Sequence, residues 1–161
     1  TGADPLGDLI DIGSGQGRVL KLLGSRAQRA VGVDIDSDAR QLARAELLLA
    51  GVENCSLRKG DMYDLPFADG EFDTVILDDV LTDADRPMVA LTEARRILKR
   101  GGRLFLLAKI GRGDVTSLER HFAEWCRVVD LRLATPRRIP SANARWLLAV
   151  ATATDEQSVA A

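Results

Sequence analysis

An acid and three glycines stand in the stretch DLIDIGSGQGRVLKLL, residues 8–23. Asp11 lies near the end of an apolar run, Gly13, Gly15 and Gly17 follow at every second position, and a helix-like pattern begins at Arg18. Glycine admits left-handed torsions and lets a ligand approach the backbone closely. A strand that runs through such a turn into a helix exposes backbone amides at its carboxyl edge, where doubly wound sheets bind ligands. A dinucleotide turn would place its third glycine where Arg18 stands, and the Lys-Ser/Thr of a P-loop is absent, so a nicotinamide oxidoreductase is disfavoured. Two more acids close later apolar runs. Asp34 ends AVGVD and offers two oxygens to the two hydroxyls of a ribose, while Ile35 beside it offers a face to adenine. Asp61, in GDMYDLPF, can accept from an adenine amino group, with the Met62 amide facing a ring nitrogen.

Positioning these groups requires strands that end along one edge, and the chain alternates as βα units do. Residues 8–12, 30–35, 55–60, 72–79 and 103–110 read as parallel strands. Residues 18–26, 37–51 and 86–102 read as helices between them. Asp36 or Ser37 can cap the second, Gly51 can stop it, and Pro87 sits in the first turn of the third. That third helix carries Ala90, Leu91, Ala94, Ile97 and Leu98 at helical spacing. TSLERHFAEWC opens with a capping box, Thr116 to Glu119, and puts Leu118, Phe122 and Trp125 on one face. VVDLRLA and ARWLLAVATAT have no helical pattern between them and are expected to pair antiparallel. The expected fold is α/β: one Rossmann-like, doubly wound, seven-stranded sheet, mostly parallel with an antiparallel last strand. It would span residues 1–153, leaving 154–161 as a disordered tail.

DIGSGQGR, VGVDID, GDMYDLPFADGEFDTVILDDVL and EARRILKRGGRL stand in the order and approximate spacing of the class I S-adenosylmethionine-dependent methyltransferases, which the chain resembles over about residues 7–110. It looks most like the group containing the ubiquinone/menaquinone-biosynthesis enzymes, and is similar above all to methyltransferase domains that follow a winged-helix repressor of the metal-sensor type. The resemblance implies S-adenosylmethionine as cofactor. It places Gly13, Gly15 and Gly17 along the methionine part, with Asp11 ordering the turn and helping to hold the methionine amino group. It places Asp34 on the ribose, Ile35 beside the adenine, and Asp61 and Met62 at the adenine edge. Asp78 falls where the family touches the methionine moiety or the substrate, and is the candidate catalytic residue. Repressor-fused relatives carry a histidine and then a polar residue there; this chain has Asp78-Asp79. The implied activity is methyl transfer to an unidentified acceptor. The departure at Asp78-Asp79 keeps a second class open, a domain that binds S-adenosylmethionine and senses it without turnover inside a larger, DNA-binding protein.

A sulfonium methyl is already activated, so transfer asks mainly for positioning and the exclusion of water. A base is needed only where the acceptor must lose a proton, and Asp78, Asp79 and Asp83 are the acids at hand. Asp79 and Asp83 also read as helix caps or solvent-facing acids, and His121 as a surface or packing residue. Family members usually carry helices before the first strand, and many put a long lid after the fifth. Here TGADPLG and AKIGRGDVTS are short, so an open pocket is expected, which implies either a large acceptor or a cover supplied by an upstream domain or a homodimer partner.

The 161 residues carry a net charge of -2, with 46% hydrophobic and 29% charged side chains. That balance gives no argument for nucleic-acid binding by this domain. TPRRIP, the densest basic cluster, reads as a solvated turn. No apolar run approaches the about 20 residues of a membrane helix, so no membrane insertion is expected. The chain lacks an initiator Met and opens straight into a strand, which reads as an excised domain. Cys55 and Cys126 have no metal-ligand spacing; no metal site and a reducing, cytoplasmic compartment are expected.

Overall fold

The computed structural model describes residues 6–110, 115–140 and 144–154. β1 (Asp8–Ile12), β2 (Arg29–Asp34), β3 (Cys55–Lys59), β4 (Phe72–Asp78) and β5 (Leu98–Ile110) run parallel. β8 (Arg145–Ala153) lies antiparallel to β5 and is paired on its other side by β6 (Leu131–Leu133), giving the order β3-β2-β1-β4-β5-β8-β6. This is the expected seven-strand path with the last strand reversed. One further strand, β7 (Arg137–Pro140), corrects the reading of TPRRIP as a turn. It pairs with the first half of β8 while β6 pairs with the second. An edge strand tolerates Pro140 and charged side chains, which is why its composition disguises it.

α1 (Arg18–Leu23) and α2 (Ser37–Leu49) pack on one face of the sheet, α3 (Pro87–Ile97) and α4 (Val115–Val128) on the other. Strand alternation divides the core accordingly. Ile10, Ile12, Val75 and Leu77 join Leu91, Ile97 and Phe122 on the α3/α4 face. Leu9 and Ile76 join Val19, Leu20 and Leu47 on the other. Each fully buried side chain of this size contributes roughly 1.5–3 kcal/mol. Asp11 has the parity of Leu9 and therefore enters the α1/α2 face. On the α1/α2 face, no helix among the described residues beyond α1 covers β4, β5 and β8. Leu22, Leu23, Ile76, Phe105, Leu107 and Leu148 line an apolar cleft of 310 Å³ there.

Several boundaries differ from the sequence pattern. α3 stops at Ile97 rather than running to residue 102, because Leu98 turns extended and pairs with Phe72. Asp36, not Ser37, caps α2, accepting from the amides of Asp38 (2.8 Å) and Ala39 (3.2 Å). α4 begins at Val115, so Thr116 lies inside its first turn rather than at the cap; the residues just before it lie outside the described set. Leu118, Phe122 and Trp125 do share the core-facing side. Of the expected tail only Thr154 is described, donating to Asp130 at 3.2 Å; residues 155–161 lie outside.

The loop that follows β3 is held to α3 by one cation. Arg96 donates to the carbonyls of Phe67 (2.7 Å) and Leu65 (3.0 Å), and pairs with Glu93 and Asp69. Glu93 in turn accepts from the Leu65 amide at 2.8 Å. Hydrogen bonding from Arg96 holds the Glu93 carboxyl below its ordinary value of 4.5, against the opposing effect of burial. Arg96→Ala is expected to destabilise the fold by about 1–3 kcal/mol, leaving two carbonyls without their donor. A group whose folded pKa is lowered stabilises above its unfolded value. Part of the gap between wild type and variant should therefore close as pH falls below 4.5. Urea titrations at pH 7 and pH 4 read both effects.

Candidate cofactor site

The glycine turn is fastened to the end of β2. The amides of Gly13 and Ser14 both donate to the Val33 carbonyl, at 2.8 and 3.0 Å. Gly15 donates to Asp34 Oδ2 at 2.8 Å. All three turn glycines hold left-handed torsions, with φ of 74°, 51° and 80°. At Gly13 a side chain is also excluded by space, since a Cβ would stand 2.5 Å from Val80 Cγ1. At Gly15 a Cβ would meet nothing within 4 Å, so that position faces open space.

That turn borders a cleft of 380 Å³ along the carboxyl edge of the sheet. Gly13, Asp34, Ile35, Asp61 and Met62 line it, five of the nine residues expected at the site. Asp34 Oδ1 accepts from the Asp36 amide at 2.9 Å, so each carboxylate oxygen holds one amide and keeps a further lone pair. Ile35 is 65% exposed, an apolar surface at the cleft. Asp61 Oδ1 accepts from the Tyr63 amide at 2.9 Å, closing a tight turn to Asp64. The Arg86 guanidinium lies 4.3 Å from the Tyr63 ring centroid, and its amide donates to the Tyr63 hydroxyl at 3.3 Å. These contacts join the loop after β3 to the loop before α3.

Asp11, Asp78 and Arg18 form a second group beside the glycine turn that carries Ser14. Asp11 is 1% exposed. Its Oδ1, the Ser14 hydroxyl and Asp78 Oδ1 are buried with no hydrogen-bond partner. Asp78 Oδ2 accepts from Arg18, whose guanidinium also lies 5.8 Å from the Trp146 ring on β8. Burial, reinforced by Asp78, raises the Asp11 carboxyl well above its ordinary value; Arg18 acts against the shift and Asp34 adds to it. Buried acceptors without donors are costly and call for an explanation. Two acids that share one guanidinium, with a third unpartnered oxygen on the glycine turn, suit a ligand that carries both an ammonium and a carboxylate.

Sequence reasoning missed Ser14, Arg18 and Val80 at this edge, and weighed Asp79 and Asp83 only as possible bases, helix caps or solvent-facing acids. Arg18 had a signal, an arginine directly after the last turn glycine. Val80 packs on Gly13, and nothing local marks it. Asp79, expected to be a helix cap or solvent-facing, is neither. It holds φ +58°, its amide donates to the Leu107 carbonyl at 2.8 Å, and its Oδ1 accepts from the Lys109 amide at 3.0 Å. Asp83 is solvent-exposed as expected, but it also lines the cleft. His121 is exposed and stacks on Trp125, with centroids 5.8 Å apart. Among the described residues, no cluster of His, Cys, Asp and Glu is placed to hold a metal, and no helix is long and apolar enough to cross a membrane.

Comparison with known proteins gives this arrangement a family. Residues 10–106 match the family described as Methyltransferase domain. The chain is 35% identical over 102 residues to the uncharacterized protein MJ1123 of Methanocaldococcus jannaschii, an overlap of 63% of this chain and 44% of that protein. It is 30% identical over 122 residues to the ubiquinone/menaquinone biosynthesis C-methyltransferase UbiE of Rhizobium meliloti, an overlap of 73% and 46%. The chain thus spans less than half the length of both relatives. The crystal structure of the YcgJ protein of Bacillus subtilis superposes with a TM-score of 0.78 at 15% identity, covering 92% of each chain, a likeness of fold. With the glycine turn, the two strand-end acids and the seven-strand path in place, the chain belongs to the class I S-adenosylmethionine-dependent methyltransferase family.

Proposed function

We propose that this domain binds S-adenosylmethionine along the carboxyl edge of β1 to β4 and transfers its methyl group to an acceptor presented near Asp78. One observation carries the reading: a cleft lined by Asp34 and Asp61 borders the glycine turn, and Asp11, Ser14 and Asp78, at and around that turn, keep buried oxygens without a partner. Asp34 takes the ribose hydroxyls, Ile35 lies against the adenine, and Asp61 and Met62 address its edge. Asp11, Ser14 and Asp78 receive the ammonium, and Arg18 receives the carboxylate. The bound cofactor supplies a methyl group on a sulfonium, already activated for displacement. The chain's own work is to fix that methyl group and keep water away, which is where most of the rate of such a transfer originates. Asp78 takes a proton only from acceptors that must lose one, and Arg18 holds its carboxylate in place meanwhile. A cytoplasmic location, and an upstream domain or second copy that covers the open face near α1, complete the reading. No observation favours a purely sensing role over transfer.

Ligand-induced stabilisation tests the cofactor. S-adenosylmethionine and its demethylated product should each raise the melting temperature. At one hundred times Kd the native state gains about 2.7 kcal/mol. NAD should leave the melt unchanged; a shift with NAD alone would overturn the assignment. Turnover is read with a methyl-labelled cofactor against a panel of acceptors.

The ribose contact is isolated by a pair of variants. Asp34→Ala should weaken binding of the demethylated product by roughly 1.5–3 kcal/mol, the scale of hydrogen bonds to a charged group. Asp36→Ala should leave affinity near wild type and lower stability by about 1 kcal/mol through the lost cap. Calorimetry on both separates the two acids, and equal losses of affinity would assign the wrong one.

Asp11 makes binding depend on pH. Its folded-state pKa is raised, so the unliganded protein holds a proton there more tightly than the unfolded chain does. Stability should therefore fall as pH rises from 3.8 through the raised value, and Asp11→Asn should remove that loss. An ammonium prefers the ionised acid, so cofactor affinity should rise over the same window in wild type and stay flat in Asp11→Asn. Calorimetry across pH 4–8 gives the two slopes.

A further inference from the structure

Asp79 takes no part in the binding scheme above, yet it holds a conformation that residues other than Gly, Asn and Asp rarely adopt. Its φ is +58°, at the turn where β4 leaves the sheet. Two bonds hold it there, and both run to β5. Its amide donates to the Leu107 carbonyl at 2.8 Å, and its Oδ1 accepts from the Lys109 amide at 3.0 Å. Its neighbours on either side make contacts elsewhere. Asp78 meets Arg18 at the start of α1, and Val80 fills the space a side chain at Gly13 would need. An unusual torsion that surrounding bonds over-determine is a frequent mark of a functional site.

We infer that Asp79 is a positioning residue for the methionine end of the site, a bracket that ties the end of β5 to the exit of β4 and so seats Asp78 on Arg18 and Val80 on Gly13. The inference rests on the cofactor reading above. It makes a division that the reading alone does not. The groups assigned to the nucleoside, Asp34, Ile35, Asp61 and Met62, stand at the ends of β2 and β3, to which neither bond of Asp79 runs. Val80, Asp83, Ala84 and Asp85, which follow the bracket, line the same cleft without being assigned a nucleoside contact, so the nucleoside end depends on the bracket less than the methionine end does. Asp79 itself touches no ligand.

The experiment compares wild type, Asp79→Asn and Asp79→Gly in the full chain, measuring calorimetric affinity for S-adenosylhomocysteine and for adenosine, with a thermal melt of each. Asn tolerates the left-handed torsion and keeps a side-chain acceptor, so Asp79→Asn should bind both ligands within about twofold of wild type. Gly keeps the torsion and loses the acceptor. Asp79→Gly should fold, bind adenosine nearly as wild type does, and bind S-adenosylhomocysteine about threefold to tenfold more weakly, the effect of one hydrogen bond. An Asp79→Gly variant that binds S-adenosylhomocysteine like wild type would overturn the inference. So would equal losses for the two ligands, which indicate a merely structural residue, or an Asp79→Asn variant as weak as the glycine one. Wild type binding neither ligand would instead overturn the cofactor reading, and the bracket with it.

Discussion

Gly13 and Ser14 give both their amides to a single acceptor, the carbonyl of Val33, and the placement of the glycine turn against β2 depends on that seam. It fixes how far the turn reaches along β2, which in turn brings the Gly15 amide to the Asp34 carboxylate. The strand registers agree with it: Ile12 stands opposite Val33 on one side and Leu77 on the other, so three strands finish together. A slip of one residue would send Asp11 to the α3/α4 face and Ile12 to the ligand side. Parallel strands buried on both faces do not tolerate that exchange, because Ile10 and Ile12 are already built into the larger core. The hydrophobic core thus sets the register, and the register places the acids.

The same edge is where the molecule is least settled without a ligand. Elsewhere Arg96 has four partners and Lys99 pairs with Asp73 at 2.8 Å, while among the described residues only Arg95 Nε is a buried side-chain atom left without a partner away from this edge. Around the turn, Asp11, Ser14 and Asp78 retain buried oxygens with nothing to receive. Groups of this kind each weigh against stability by about 1–3 kcal/mol. Local departures from the rules that govern the rest of a fold concentrate where a protein keeps its function. Arg18 relieves part of the charge from a position more than half exposed, so its pairing with Asp78 is open to exchange with solvent or a ligand.

What could be read from the sequence was what depends on neighbours in the chain. The glycine turn, Asp34 and Asp61 are legible because each stands at or just after the end of its own strand, and the Asp36 cap needs only the two amides that follow it. Contacts that depend on tertiary register were not legible. Arg18 finds Asp78 across 60 positions, and Asp79 finds the Lys109 amide across 30. Nothing in LDDVL distinguishes an acid turned toward β5 from one turned toward water. α3 was read too long because Leu98 and Lys99 suit a helix as well as a strand; pairing of Leu98 with Phe72 decides it. β7 was missed for the opposite reason, since two arginines between prolines carry no alternating pattern, and only β8 beside them makes them a strand.

The position of β8 bears on how the chain assembles. Residues 145–153 lie between β5 and the pair of short strands that precede them, so β6 and β7 have no partner in the sheet until the chain has passed both of them. During synthesis the parallel half can form from β1 to β5 as each unit emerges, while residues 131–140 wait. The apolar side chains of β5 meet β8 only across a sequence separation of 35 to 49 residues, the kind of distant pairing that slows folding and leaves an edge open to other chains in the interval. Pro140 and the arginines of β7 stand on that waiting segment, where they discourage pairing with the wrong strand before the right one arrives.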